Sequence, residues 1–318
     1  MFVHTRQAFK VLLGTAVLAL VVGGCSGTAD DRPDTSAPDS STSSADGSFP
    51  KTVVSGPADS GVDITIESRP KSIVSLSPTA TETLFAIGAG DQVVAVDSQS
   101  DYPTDAPKTD LSAYTPSLEA IVGYEPDLVI ASDDIGGLVS GLVTAQIPTL
   151  LLPAATSIDD AYSQIERVGD ATGHETEAEA VVEQTRTRIE DAVASVPSGE
   201  LTYFHELDSE LYTVTSQSFV GRLYGLFGLT SIADGAASNY PQLAAESVVT
   251  DDPDIIFLAD SQCCGVTAES VVARPGWSSM RAVRDGRIYT MDEDLSSRWG
   301  PRIADQVEAI AAVLTGNK

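Results

Sequence analysis

The sequence predicts an α/β protein of two Rossmann-like lobes with mainly parallel sheets, joined by one long helix, with a ligand cleft between the lobes. Three observations predict it. Short apolar strands alternate with short helices on both sides of the chain's middle. A long stretch of helical period separates the two alternations. A block of sequence around Glu119 has an echo around Glu246.

In chain order, Lys71 to Leu76 reads as a strand. Ser77-Pro78 follows as a helix cap with proline at the first helical position. Thr79 to Ile87 is then helix, stopped at Gly88. Asp91 to Val96 is a strand, Pro116 to Val122 a short helix, and Asp127 to Ala131 a strand. Gln146 to Leu152 is another strand, with Pro148 near its edge. From Ser157 the period changes: Ile158, Tyr162, Ile165 and Val168 recur at helical spacing. After Gly173 the helical period runs on, so His174 to Val196 spans roughly 35 Å at about 1.5 Å per residue. Pro197-Ser198-Gly199 ends it. The second alternation has strands at Leu201 to His205 and Leu211 to Thr215 and a helix near Phe219 to Phe227. Strands at Asp254 to Ala259 and Arg287 to Met291 follow, then a closing helix from Ile303 to Leu314. In the echo, Glu119 and Glu246 each precede a short apolar helix, and Pro126-Asp127 and Pro253-Asp254 each open a buried strand seven residues later. Two copies related by a pseudo-twofold place a cleft between them, where small ligands usually bind.

Ahead of the lobes lies an export leader. Arg6 and Lys10 precede an apolar run, Val11 to Val22, of about a dozen residues, too short to span a bilayer. Val22-Gly23-Gly24-Cys25-Ser26 resembles a lipobox, in which Cys25 carries the lipid. The alternative is a cleaved signal with a chance cysteine. Ser26 to Pro50 is Ser, Thr, Asp, Pro and Gly with almost no apolar residue, a tether without a core. The domains expected are signal peptide 1–24, disordered tether 25–50, N-terminal lobe 51–156, connecting helical region 157–197 and C-terminal lobe 198–318. The product is extracytoplasmic, lipid-anchored to the cell membrane, and monomeric.

Net charge is −28, and loss of Arg6 and Lys10 with the leader takes it to about −30. Without a basic patch, nucleic acid is excluded as a partner. Anionic headgroups give no attraction either, so the lipid must anchor the chain. Cys263 and Cys264 are adjacent: a vicinal disulfide, two thiols, or two small buried apolar residues. No Gly-x-Ser-x-Gly elbow, Gly-Lys phosphate loop or His-Glu-x-x-His motif is present. A dispersed triad leaves no pattern, but a single suitably placed histidine argues against a hydrolase. The chain is read as a binding protein with no metal site and no resident cofactor.

Several stretches carry a family resemblance. They are Ser72-Ile-Val-Ser-Leu-Ser-Pro-Thr-Ala-Thr-Glu-Thr-Leu-Phe-Ala-Ile-Gly88, Ser100-Asp-Tyr-Pro103, Ser117-Leu-Glu-Ala-Ile-Val with Pro126-Asp127, Arg274-Pro-Gly-Trp through Tyr289, and Ser297-Arg-Trp-Gly-Pro-Arg302. In order and spacing they resemble the class III solute-binding proteins of ABC importers, the group that captures ferric siderophores, haem and cobalamin. The flavour resembles the actinobacterial FecB-like iron–siderophore lipoproteins. The resemblance implies lobes that close only slightly on ligand. It also implies that Glu119 and Glu246 dock on arginines of the permease, which suits a two-fold partner. Otherwise both are first-turn glutamates that stabilise their helices. The ligand implied is a ferric siderophore, with iron present only as part of the chelate. Cobalamin or haem would suit the same receptor role. A cell-envelope interaction module on the same fold is the alternative of another class.

Candidate ligand residues follow. Ser77 and Thr79 sit at a strand-to-helix turn, where free N–H groups receive a carboxylate or carbonyl or simply cap the helix. Tyr102 and Tyr114 offer rings to a flat ligand, or serve the core. Arg298, Trp299 and Arg302 could pair with and stack on an anionic chelate, or the arginines could bridge to acids such as Asp292 to Asp294. His205 ends a strand and could face the cleft; since the resemblance allows Tyr or His as a haem ligand, His205 and the tyrosines keep haem open. His174 is read as exposed and Trp277 as a packing residue.

Overall fold

The computed structural model describes residues 47–197 and 199–316. The leader, Cys25 and the tether up to residue 46 lie outside the described residues.

The N-terminal lobe carries β3 (Ile73–Leu76), α1 (Pro78–Ala86), β4 (Val93–Val96), α2 (Leu118–Val122), β5 (Leu128–Ala131), α3 (Leu138–Thr144) and β6 (Thr149–Leu151). Its sheet is parallel with the order β4-β3-β5-β6. Every residue of β3 and β5 is buried, as expected of strands covered on both faces by helices. The C-terminal lobe carries β7 (Thr202–Glu206), α6 (Phe219–Gly225), β8 (Thr230–Ser231), α7 (Ala245–Asp251), β9 (Ile255–Leu258), α8 (Ser261–Cys264), α9 (Ala268–Val272), α10 (Arg281–Arg284), β10 (Ile288–Thr290), α11 (Glu293–Ser297) and α12 (Ile303–Thr315). Its sheet is also parallel, ordered β8-β7-β9-β10. Taking the strands of each sheet in chain order, both read second, first, third, fourth. The two lobes are one topology used twice.

The sequence echo has a physical basis here. The Asp127 carboxylate accepts from the N–H groups of Lys71 and Ser72 at 2.9 and 3.0 Å, and the Asp127 N–H donates to the Ser72 carbonyl. Asp254 does the same in the other lobe, accepting from Thr202 N–H at 2.9 Å and donating to the Thr202 carbonyl at 3.0 Å. Each Pro-Asp pair thus pins the start of the third strand to the start of the first and fixes their register.

The lobes are joined by two helices, α4 (Ile158–Thr172) and α5 (Glu175–Ala194), folded on each other at Gly173 in the left-handed region (φ +74°). A side chain at position 173 would meet Phe49 and Arg69 as well as that strained backbone. Helix α4 packs on α1 and α5 packs along α12. One apolar core therefore runs from Leu84 and Ile130 through Ile165 and Ile189 to Leu223 and Ile310. The connection is part of both cores, which opposes large hinge motion.

Four details differ from the sequence reading. An antiparallel hairpin, β1 (Lys51–Ser55) with β2 (Val62–Ile66), precedes β3 and is held by Arg167, which donates to the carbonyls of Val54 and Gly56. Phe49 also packs on the core, so the packed chain begins ahead of Lys51. Leu211 to Thr215 is no strand: Leu211 has φ +67°, which breaks the extended run, and a single bridge from Tyr212 to Gln242 remains. The Gln146 to Leu152 strand shrinks to β6, since Gln146 also has positive φ.

Candidate functional site

The carboxyl ends of the N-lobe strands open into a cleft, the usual place for ligands in open parallel sheets. The cleft has a volume of about 260 Å³ and is open on one side. After β3, Ser77 and Thr79 form its floor; after β4 come Asp97 and Gln99; after β5 come Asp133 and Ile135. Tyr114 also lines it and is 74 % exposed. The C-lobe supplies Asp294, Ser297, Arg298 and Trp299.

The floor is set by local rules. Ser77 caps α1 by accepting from the Ala80 N–H at 3.3 Å, and Pro78 takes the first helical position. The loop after Arg298 lies hard against this turn: a side chain at Gly300 would stand 3.2 Å from the Thr79 carbonyl. Trp299 reaches across and donates from Nε1 to Gln164 Oε1 of α4 at 2.9 Å.

Arg298 is buried and bonded through both of its Nη atoms. It donates to Glu82 at 2.8 Å, to Asp101 at 3.0 Å, to Asp294 at 2.6 Å and to the Gln99 carbonyl at 3.1 Å. Arg302 shares the same Glu82 oxygen at 3.0 Å and lies over the Tyr102 ring, 4.1 Å from its centre. Both arginines bridge to acids, the second of the two roles the sequence allowed. Burial pushes the carboxyls of Glu82, Asp97 and Asp294 up, against the pull of these guanidiniums and of local hydrogen bonds. Two arginines meet Glu82, Asp101 and Asp294, and Asp97 and Asp133 add further carboxylates. The cleft has no spare positive charge among the described residues.

Of the residues singled out from the sequence, Ser77, Thr79, Tyr114, Arg298 and Trp299 come together at the cleft. Tyr102 is a neighbour outside it, under Arg302. His205 does not face the cleft. It is fully buried in the C-lobe core, Nδ1 2.9 Å from the Tyr224 hydroxyl, and burial lowers its pKa to about 4. The haem-ligand role is corrected on that ground. His174, expected to be exposed, is half-buried at the N-cap position of α5, its ring against Arg69 and Thr172, and Trp277 packs in the C-lobe core as expected. Glu119 and Glu246 are both exposed in the first turns of α2 and α7. Cys263 and Cys264 form a vicinal disulfide on the exposed helix α8. Among the described residues no group of three or more His, Cys, Asp or Glu side chains is placed to hold a metal ion. Sequence reasoning missed Glu82, Asp97, Asp101 and Asp133. Asp97 and Asp133 could have been found by their position just past predicted strands.

Two like lobes with strand ends opening on a shared cleft, braced by helices common to both cores, define a two-lobed ligand-capture protein. The periplasmic binding protein family matches residues 73–295. The chain is similar to YvrC of Bacillus subtilis, an uncharacterized ABC transporter substrate-binding lipoprotein, at 31 % identity over 92 % of each chain. It is 31 % identical to a cobalamin-binding protein of Halobacterium salinarum, covering 83 % of this chain and 74 % of that one. Its fold matches the crystal structure of a possible iron-binding, periplasmic solute-binding protein of Staphylococcus epidermidis with a TM-score of 0.70. The identity there is 26 %, covering 78 % of this chain and 99 % of that one. The chain belongs to the periplasmic binding protein family.

Proposed function

We propose that the chain is the extracytoplasmic receptor of an ABC importer, tethered by lipid on Cys25, and that it captures a metal chelate of zero or positive charge. The receptor makes no bond and breaks none; capture and release are the whole activity. One observation carries the choice of ligand: the Arg298 guanidinium is consumed by Glu82, Asp101 and Asp294. An anionic ferric siderophore or the propionates of haem would meet Asp97, Asp133 and Asp294 with no free cation to receive them. A corrinoid such as cobalamin suits the site better. Its rim of neutral side-chain amides can donate to carboxylates, and its flat face can lie on Tyr114. The cobalamin-binding relative supports this reading. The cleft volume of about 260 Å³ is small for such a ligand, so one face is gripped and the rest stays in the mouth of the cleft.

A second reading keeps iron: a ferric hydroxamate siderophore of zero or positive charge satisfies the same electrostatics. On either reading the carboxylates of Glu119 and Glu246 dock on the permease. The FecB-like assignment and an anionic cargo have no support from the cleft. A protein-interaction module is disfavoured because the cleft is open rather than filled by its own side chains.

The test follows tryptophan emission from Trp299 while cyanocobalamin, a cationic ferric trishydroxamate, an anionic ferric triscatecholate and haem are titrated in. Saturation by cyanocobalamin, with no response to the triscatecholate, is expected. Tighter binding of the triscatecholate than of the other three overturns the charge argument.

A further inference from the structure

The shared topology assigns each strand of one lobe's sheet a counterpart in the other. Asp127 corresponds to Asp254, so β5 corresponds to β9. Counting on along the chain, Asp133 corresponds to Asp260, Ile135 to Gln262, and Gly136-Gly137 to Cys263-Cys264. In the N-lobe this loop lines the cleft through Asp133 and Ile135. Its two glycines both have positive φ and leave it conformationally free. In the C-lobe the matching loop is clipped shut. The disulfide joins the last two residues of α8, whose turn is closed by the N–H of Cys264 donating back to the Asp260 carbonyl at 3.2 Å.

The clip is tied to the cleft wall. The Glu293 carboxylate accepts from the N–H groups of Gln262 and Cys263, the latter at 2.9 Å. Glu293 opens α11, and the next residue, Asp294, stands in the cleft bonded to Arg298 at 2.6 Å. Both cysteines are exposed, so the sulfur pair is available to a ligand. It is compact, apolar and polarisable, the character of a contact for a flat ring system.

We propose that Ser261–Gly265 is the C-lobe jaw of the ligand cleft and that the Cys263–Cys264 disulfide is its ligand-facing contact. The inference deepens the receptor reading and rests on it. While the bridge is intact, α8 holds Glu293, and Glu293 holds α11 and the Asp294–Arg298 pair in place. When the bridge is opened, α8 frays, and α11 loses the anchor that its first residue provides.

The test compares oxidised protein, protein reduced by a trialkylphosphine, and the Cys263→Ser/Cys264→Ser variant. The phosphine takes up the oxygen of one water molecule as the disulfide becomes two thiols. Hydrogen exchange on ligand-free protein reads the coupling. Exchange should quicken on reduction by about tenfold at 260–265 and 292–298, with the β-strands unchanged. No change at 292–298 overturns the coupling whatever the ligand is. Cyanocobalamin binding reads the contact. Saturating cyanocobalamin should slow iodoacetamide alkylation of the reduced pair, and the double variant should bind it about tenfold more weakly. Binding with neither effect overturns the jaw assignment and leaves the receptor reading standing. If the oxidised protein ignores the whole chelate panel while exchange still responds to reduction, the receptor reading fails and the ligand contact falls with it.

Discussion

Arg298 of the C-lobe donates to Glu82 of the N-lobe across 216 positions of chain, at 2.8 Å and with both side chains buried. Arg302 shares the same carboxylate oxygen. This charge cluster bridges the two lobes next to the cleft. It explains why two arginines beside an indole do not serve as an anion site. They are tied to the opposite lobe.

Glu82→Gln should therefore destabilise the protein. The change leaves a buried guanidinium short of a countercharge, which typically costs about 3 kcal/mol. Urea unfolding should show a lower midpoint with an unchanged slope. A loss below about 1 kcal/mol would mean that Asp101 and Asp294 alone satisfy Arg298.

That cluster also marks the limit of the sequence. The repeated Glu and Pro-Asp blocks were legible because Asp127 and Asp254 act locally, each pinning neighbouring strand starts. Ser77-Pro78 was legible because capping is a rule about adjacent residues. Glu82 was not, since nothing near it in sequence says that its partner lies in the other lobe. His205 was misread for a related reason. Strand β7 is buried on both faces, so the end of a strand does not by itself decide which side chain meets the cleft. Leu211 hid a positive φ that apolar character cannot reveal.

Asp260 supplies a pH signature. It is fully buried near Glu206, whose carboxylate is held by Arg274 at 2.7 and 2.5 Å. Burial first, and the Glu206 charge second, push the Asp260 carboxyl from 3.8 up to about 7. The folded state binds the proton more tightly than the unfolded chain. The stability this proton contributes is complete below the unfolded value and is lost as pH rises through 7. Asp260→Asn should therefore stabilise the protein at pH 8, on the order of 2 kcal/mol, with the gain fading towards pH 4. Thermal unfolding of both proteins across that range measures it. A variant less stable at pH 8 would assign Asp260 a charged structural role.

His205 predicts the opposite slope. Its folded pKa of about 4 lies below the ordinary 6.5, so the unfolded chain takes up the proton first. Its presence weakens the fold as pH falls from 6.5 towards 4. The stability advantage of the natural protein over His205→Gln should shrink over that window by a few kcal/mol. A constant difference would show that a charged His205 is accommodated.

Glu119→Ala and Glu246→Ala touch exposed first-turn residues, so each should change stability by less than about 1 kcal/mol. Chelate binding by the isolated protein should be unchanged. Uptake by cells should fall for each single variant and nearly vanish for the pair, because a permease surface that grips two carboxylates loses both. Normal uptake by the double variant would leave the glutamates as helix-stabilising residues only.

Asp133 separates the two cargo readings. It is exposed at the cleft and forms no ion pair with an arginine among the described residues. Against a cationic ferric hydroxamate its charge is worth on the order of 1 kcal/mol in this partly aqueous site, and salt weakens it. Asp133→Asn should then cost about fivefold in affinity for that chelate and flatten its salt dependence. A neutral corrinoid feels Asp133 through an amide hydrogen bond instead. Asparagine can still accept that bond, so cyanocobalamin affinity should hold within about twofold and stay salt-insensitive. The pattern of losses across the two chelates, read at low and high salt, identifies the interaction the cleft was built around. An affinity gain for the cationic chelate in Asp133→Asn would remove the acidic wall as the basis for choosing between them.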